Sequence, residues 1–335
     1  MNIFKNKTIL ITGGTGFLGL ALTKEILKKS PKSVRLFSRD EVKHYQAQEL
    51  FNYNPKLRNF IGDVRDHKRL VKATRKADIV IHAAALKRLD LLEYNVEEAI
   101  KTNILGTLNV INACLVNNVE KVVFVSTDKA CSPINSYGAC KFVGERIFIE
   151  SNFSKGDLKT IFTVVRYGNV LESTGSVIPI FTSKITNGEN IPLTDSRMTR
   201  FIISPKQSVE LIFNALRYCT GGEIFVPKIC SFKIIDLIKI LKEKFKAKNK
   251  IKIIGLRPGE KIHELLINES EIPRTYAFKD LYIIVSHLEK YQGKKPLYLK
   301  EKNKIDESLM KNYSSKDYLI PKRKVEKLFQ KLGLT

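Results

Sequence analysis

The 335-residue sequence predicts an α/β protein: a Rossmann-type, doubly wound parallel sheet with a smaller C-terminal α/β substrate lobe. Three observations predict it. Short Val/Ile-rich runs alternate with amphipathic stretches through the first half, the pattern of parallel strands covered on both faces. A glycine-rich turn, ITGGTGFLG, joins the first apolar run to the first amphipathic stretch. After Val170 this rhythm breaks into shorter strands and loops.

The elements follow in order. KTILITG (7–13) reads as a buried strand and FLGLALTKEILKK (17–29) as the helix after it. SVRLFSRD (33–40), RNFIGDVRD (58–66) and ADIVIHAAA (77–85) are the next three strands. A long helix is predicted over 96–118, then the strand KVVFVST (121–127), a helix around Tyr137 and a strand over 160–170. SRMTRFI, GGEIFVPKI and IKIIGLRPGEK read as short strands and loops around helices such as 234–245. The expected organisation is a dinucleotide-binding domain over 1–170, its sheet completed by parts of 200–230. A substrate lobe over 171–288 interleaves with it, and a basic, partly ordered extension covers 289–335.

Lys plus Arg number 58 against 34 Asp plus Glu, a net charge of +24. Such an excess attracts anions, but here it reads as solvated lysine-rich faces. The tail from Glu289 onward carries thirteen Lys/Arg and six Asp/Glu, without the aromatic spacing of a nucleic-acid stacking platform. No nucleic-acid partner is expected. Cys114, Cys131, Cys140, Cys219 and Cys230 form no C-x-x-C pair, which argues for a reducing compartment with neither disulfides nor zinc. The start lacks the pattern of a signal peptide, and no run approaches the ~20 apolar residues of a membrane helix. The expectation is a cytoplasmic protein with no membrane partner. No HExxH or His/Cys cluster is present, so no metal is expected.

The glycine-rich turn has a physical use. Gly13 permits a tight turn, Gly16 lets backbone approach a pyrophosphate, and Gly19 allows close helix–strand packing. Gly13, Thr15, Gly16, Phe17, Leu18 and Gly19 therefore form a candidate dinucleotide site, with a helix N-terminus facing the phosphates. At the end of the second strand, Arg39, with Ser38 and Lys43, suits a 2′-phosphate and hence NADP; Asp40 leaves NAD open. Asp63-Val64 lies where an adenine edge is bound, or Asp63 caps the next helix. Ala83 to Ala85 are small enough for a dinucleotide to pass, and His82 reads as a packed strand-end residue.

Tyr137 and Lys141 share a helix face at i and i+4, just beyond a parallel strand. Lys141's charge is expected to lower the Tyr137 phenol towards neutrality, making it a base for an alcohol oxidised by the nicotinamide. Asp128-Lys129, eight residues upstream, is either an ion pair or cap, or a second acid–base pair at a strand end.

Through Gly13-x-x-Gly16-x-x-Gly19, Asp63-Val64, Thr102-Asn103, Ser126-Thr127 and Tyr137-x-x-x-Lys141, residues 6–285 resemble the extended short-chain dehydrogenase/reductase family. Within it, AALK, STDK, VRYGNV, RMTRF, GGEIFVPKI and RPGEKIHE are similar to the inverting UDP-N-acetylglucosamine 4,6-dehydratases of pseudaminic acid synthesis. The resemblance implies that Tyr137, with Thr127 and Lys141 in the catalytic set, deprotonates O4. It implies that Lys129 removes the C5 proton and Asp128 protonates the departing C6 oxygen, with the hydride returning to C6. That scheme demands a neutral Lys129, its proton affinity lowered by burial, Lys141 and the oxidised nicotinamide against the opposing charge of Asp128. The resemblance also places Lys87 between cofactor and sugar, Asn169 and the loop through Val177 on the nucleotide sugar, Arg200 and Arg257 on its diphosphate, and Glu260 near ribose or uracil. It implies a homo-oligomer, a dimer or hexamer, with paired helices near 96–118 and 137–150. Arg88-Leu89-Asp90 and Glu172 to Thr174 depart from the family pattern. A C4 epimerase, a retaining dehydratase and a non-catalytic NADP-sensing regulator are the alternatives.

Overall fold

The computed structural model describes residues 2–171, 177–288 and 296–331. The first half runs β1 (Thr8–Thr12), α1 (Phe17–Leu27), β2 (Ser33–Ser38), α2 (Glu41–Leu50), β3 (Leu57–Ile61), α3 (His67–Thr74), β4 (Ile79–His82), α4 (Leu89–Leu92), α5 (Val96–Ile100), α6 (Gly106–Val116), β5 (Lys121–Val125), α7 (Ser136–Ser154) and β6 (Ile161–Val165). The second half runs β7 (Asn169–Val170), α8 (Val177–Thr186), β8 (Ile191–Leu193), β9 (Thr199–Ile203), α9 (Pro205–Tyr218), β10 (Ile224–Pro227), β11 (Ser231–Lys233), α10 (Ile234–Lys244), β12 (Ile251–Ile253), β13 (Leu265–Ile267), β14 (Thr275–Phe278), β15 (Leu281–Ile284), β16 (Tyr313–Ser314) and α11 (Lys322–Lys331).

The main sheet has the order β14-β15-β10-β6-β5-β4-β1-β2-β3. It is parallel from β3 to β10 and ends in the antiparallel strands β15 and β14. Its central strands are buried on both faces, with Ile9, Leu10, Ile11, Val80, Ile81, Val122 and Val123 all at 0 % exposure. That burial is why their sequences are apolar runs rather than alternations. The chain reverses its direction of travel across the sheet at β1, and the crevice beyond the strand ends there is where such folds bind ligands.

The helix expected over 96–118 is interrupted. Lys101–Leu105 forms a π-turn between α5 and α6, and wide turns of this kind mark functional sites. Inside it the Asn103 amide clasps both Leu86 N and Leu86 O at 2.9 Å, anchoring the loop that leaves β4. Contrary to the hydropathy expectation, the run Val96–Val116 is long and apolar enough to cross a membrane by length and composition, but half of it is buried inside the fold. That is the burial of a core helix.

The strand expected over 160–170 splits in two. Fully buried Arg166 turns to bind Glu145 and Glu271. Gly168 then passes so close to Phe201 that a Cβ would lie 2.6 Å from it. β7 consequently leaves the main sheet and pairs with β9 in the lobe sheet β11-β9-β7. Within 171–288, β10 joins the parallel part of the main sheet, and β15 and β14 extend its edge.

The tail is better integrated than its polar sequence suggests. Tyr298 and Tyr313 are each 1 % exposed, and β16 pairs antiparallel with β13. Val325 and Phe329 of α11 fill the lobe core beside α10. A few apolar side chains anchor it, while its many lysines stay in water.

Candidate active site

One cleft of about 1210 Å³ runs from the glycine turn, across the end of β5, to the lobe. Among the described residues, every one singled out above for cofactor, substrate or catalysis lines it except Asp128, which is fully buried.

At the glycine turn Gly13 has φ +68°, and a Cβ there would sit 3.0 Å from the Ala84 backbone. At Gly19 a Cβ would lie 2.4 Å from Gly14 O. The α1 helix begins at Gly16 with no side-chain cap, so its first N–H groups are free for an anion. Thr15, Phe17 and Leu18 complete this end. Ser38 Oγ bonds Thr15 Oγ1 at 2.8 Å and His44 Nε2 at 2.9 Å, fixing the end of β2. Asp40 accepts from Lys43 N at 3.1 Å and so caps α2. Exposed Arg39 reaches over the cleft to within 3.7 Å of Asp63. Burial raises the proton affinity of Asp63, but Arg65 and Arg39 outweigh it and hold the carboxyl below its ordinary range. Asp66, not Asp63, caps α3. Val64 is buried under Gly106, and Ala83 and Lys87 form the facing wall. A turn that a Cβ would fill, and an uncapped helix end, fit a dinucleotide. His82 packs between Thr12 and Thr107, and burial with the charge of Lys141 lowers its pKa to about 3.

At the catalytic end β5 stops at Val125, and Asp128–Ala130 forms a 3₁₀ turn. The Asn135 side chain caps α7 by accepting from Gly138 N at 2.7 Å. Gly138 packs so tightly on the turn that a Cβ would lie 2.3 Å from Lys129 O. Lys129 Nζ donates to Asp128 Oδ1 at 3.0 Å, and Thr127 Oγ1 donates to the same oxygen at 2.9 Å. Asp128 Oδ2 is buried without a partner. The ion pair and the strand-end pair are therefore one arrangement, and it is not on the surface.

Two electrostatic expectations are overturned. Lys141 Nζ donates to Val125 O at 2.7 Å and lies 4.2 Å from the Phe124 ring centroid. Burial lowers its pKa to about 7. The Tyr137 phenol is not lowered. Burial, reinforced by Asp128, pushes it up to about 12, against the smaller opposing effects of Lys129 and Thr127. Nor is Lys129 neutral. Burial and Arg200 pull it that way, but Asp128 and Glu264 win and raise it above its ordinary value. The amine meets two carboxylates and one guanidinium.

Glu264 is the residue the sequence reading passed over, although it ends the RPGEKIHE motif. It is 2 % exposed, and its Oε1 lies 3.5 Å from Lys129 Nζ and 3.8 Å from Arg200 Nε. Also unforeseen is the network behind β5, where Ser126 Oγ donates to Glu145 Oε1 at 2.6 Å and Arg166 joins Glu145 to Glu271. No local motif marks it.

On the lobe side Arg200 is 8 % exposed, and its Nη1 donates to Thr199 O and Ile262 O at 2.8 and 3.2 Å. Arg257 stands exposed at the lip, and Glu260 keeps a buried, unpartnered Oε2. Asn135 Nδ2 donates to Gly259 O at 2.8 Å, tying this loop to the cap of α7. Asn169 and Val177 flank the opening. Glu172 and Thr174 lie outside the described residues. Among the described residues no group of three His, Cys, Asp or Glu is placed to hold a metal.

Residues 9–286 match the model of a family described as polysaccharide biosynthesis protein. Over 284 residues, 84 % of each chain, the sequence is 47 % identical to a UDP-N-acetylglucosamine 4,6-dehydratase (inverting) of Campylobacter jejuni. Over 286 residues, again 84 % of each, it is 42 % identical to a UDP-glucose 4-epimerase of Rickettsia massiliae. The X-ray structure of Pen from Bacillus thuringiensis superposes with a TM-score of 0.89 at 39 % identity, covering 98 % of this chain and 99 % of that one. The chain thus belongs to the polysaccharide biosynthesis protein family, and its fold is that of the extended short-chain dehydrogenase/reductases.

Proposed function

We propose that this chain is an NADP-dependent UDP-N-acetylglucosamine 4,6-dehydratase that inverts C5. The observation that carries the reading is the Asp128–Lys129 pair at the end of β5, beside Tyr137 and Lys141 in the same cleft. Oxidation or epimerisation at C4 needs only the phenol and a cofactor, whereas elimination of water needs a further base and a further acid.

In this reading residues 1–170, with β10, hold the dinucleotide and the lobe holds the sugar. Gly13, Thr15, Gly16, Phe17, Leu18 and Gly19 take the pyrophosphate, Ser38, Arg39 and Lys43 a 2′-phosphate, and Asp63 and Val64 the adenine. Ala83, Lys87, Tyr137 and Lys141 flank the nicotinamide end. Bound there, the oxidised dinucleotide would supply a hydride acceptor for C4 and, once reduced, the hydride for C6. Tyr137, once its phenol has lost its own proton to water, accepts the O4 proton. Lys129 takes the C5 proton and Asp128 delivers one to the leaving C6 oxygen, so acid and base sit on adjacent carbons. Lys87, Asn169, Val177, Arg200, Arg257 and Glu260 bind the UDP-sugar, with the two guanidinium groups on its diphosphate. Because Asp40 caps α2 while Arg39 stays exposed, NADP is favoured over NAD. A cytoplasmic homo-oligomer, dimer or hexamer, accounts for the exposed apolar residues Tyr94, Val96, Ile100 and Leu105.

A second reading, C4 epimerisation, draws on the charged state of Lys129, which withholds the second base. Incubating the protein with UDP-N-acetylglucosamine and NADP in deuterated water separates the two. A product lighter by one water, with deuterium at an inverted C5, is expected. Recovery of only a C4 epimer refutes the reading, retained C5 configuration makes the enzyme a retaining dehydratase, and untouched UDP-sugars leave a dinucleotide-binding regulator.

A further inference from the structure

The elimination scheme needs an uncharged amine and a protonated carboxyl, yet Lys129 and Asp128 meet as ammonium and carboxylate. One hydrogen bond reconciles these states. Lys129 Nζ donates to Asp128 Oδ1 at 3.0 Å. Breaking the Nζ–H bond and forming Oδ1–H moves one proton along that contact and leaves a neutral amine beside a carboxylic acid. No proton enters or leaves the pair, and both products are the species the reaction uses.

The groups around the pair decide how readily this happens. Lys129 is faced by Asp128 and Tyr137 from its own segment and α7, and by Arg200 and Glu264 from the lobe. Glu264 is a buried carboxylate 3.5 Å from Nζ, and its second oxygen has no partner. A negative charge there favours the ammonium and opposes the proton shift.

The position of Glu264 is set by the tail. Glu264 N donates to Ser315 Oγ at 2.9 Å, and Ser315 N donates to Glu264 O at 2.8 Å. Ser315 Oγ also bonds Thr199 Oγ1 at 2.7 Å, next to Arg200 on β9. The pairing of β16 with β13, Ser314 opposite Leu265, continues this clasp. The family model stops at residue 286, and the clasp comes from beyond it.

We propose that Glu264, held by the C-terminal tail through Ser315, is a positioning residue that governs the proton shared by Lys129 and Asp128, making the tail a working part of the active site. The inference rests on the assignment of Lys129 and Asp128 as base and acid.

The pH dependence of dehydration tests it. With one proton in the pair the enzyme is competent; losing that proton at alkaline pH removes the acid and kcat falls. Replacing Glu264 with Gln removes a charge that helps hold the proton. In E264Q the alkaline fall therefore begins at least about one pH unit below that of the wild type, including the case in which the wild type shows none over its stable range. E264D keeps the charge and stays near the wild-type profile. S315A, which takes the acceptor from Glu264 N, moves the fall in the same direction by less, and it carries the test if E264Q does not fold. Ionisation of Tyr137 raises the rate with pH and does not imitate a fall. Identical alkaline behaviour in wild type and E264Q, or in wild type and S315A where only that variant folds, overturns the inference. K129M separates the two levels of argument. If it is inactive while E264Q leaves the profile unmoved, only the role of Glu264 fails. If it dehydrates at the wild-type rate, the assignment of Lys129 itself is wrong.

Discussion

Replacing Gly138 with alanine puts one methyl group where α7 meets the catalytic turn. The added Cβ would stand 2.3 Å from Lys129 O and 3.2 Å from the capping Asn135 Oδ1. Carbon–oxygen contacts settle at about 3.3–3.6 Å, so one partner must retreat by about 1 Å. The obstruction is backbone on a turn braced by Asp128 N bonding Tyr167 O at 3.0 Å, and no flexible side chain can swing aside. The turn that carries Lys129 and Asp128 is therefore displaced relative to α7 and Tyr137. A misplacement of that size costs roughly 10²-fold in rate, about 2.7 kcal/mol of barrier. Overpacking adds about 1–3 kcal/mol of destabilisation. The assay is kcat for the 4-keto product from UDP-N-acetylglucosamine, well below the melting temperature, with NADP affinity measured alongside. The expected result is a large loss in kcat with NADP binding kept, since the glycine turn lies on β1, two strands away. A folded G138A whose kcat stays within about threefold of the wild type refutes the idea that this contact sets the catalytic geometry.

Arg166→Met leaves Glu145 and Glu271 buried without their guanidinium and is expected to lower stability by about 3–5 kcal/mol, read as the urea midpoint; an unchanged midpoint contradicts it. Lys141 has a folded pKa of about 7 against the ordinary 10.5. Above pH 7 the folded state therefore sheds this proton while the unfolded chain keeps it. Stability should rise with pH across that window, by up to about 1.4 kcal/mol per unit, and K141M should lose the slope; an equal slope in both proteins excludes Lys141 as its source. Arg39→Ala should weaken NADP by about 10- to 100-fold while leaving NAD nearly untouched, and equal losses for both cofactors in titration would remove Arg39 from the 2′-phosphate site.

Much of the frame was legible because it is local. A glycine that must adopt φ +68° against Ala84, an apolar run with both faces covered, and a Tyr–Lys pair one helical turn apart are written in adjacent letters. The Asp128–Lys129 pair was visible for the same reason, being two consecutive residues. The break within the 160–170 run carries no such local signal, because it depends on Arg166 finding Glu271, more than a hundred residues away.

Sequence alone settled the alternation of strands and helices in the first half, the glycine turn and the identity of the groups available for proton transfer, since each depends on spacing within one or two turns of chain. Tertiary structure alone decided the charges those groups carry and what holds them. Lys129 is raised above its ordinary value by Asp128 and then by Glu264, which arrives from the lobe and is held there by Ser315 of the tail, and Tyr137 is raised because the cleft buries it. A proton's free energy depends on every charge within several ångströms, wherever in the chain that charge originates.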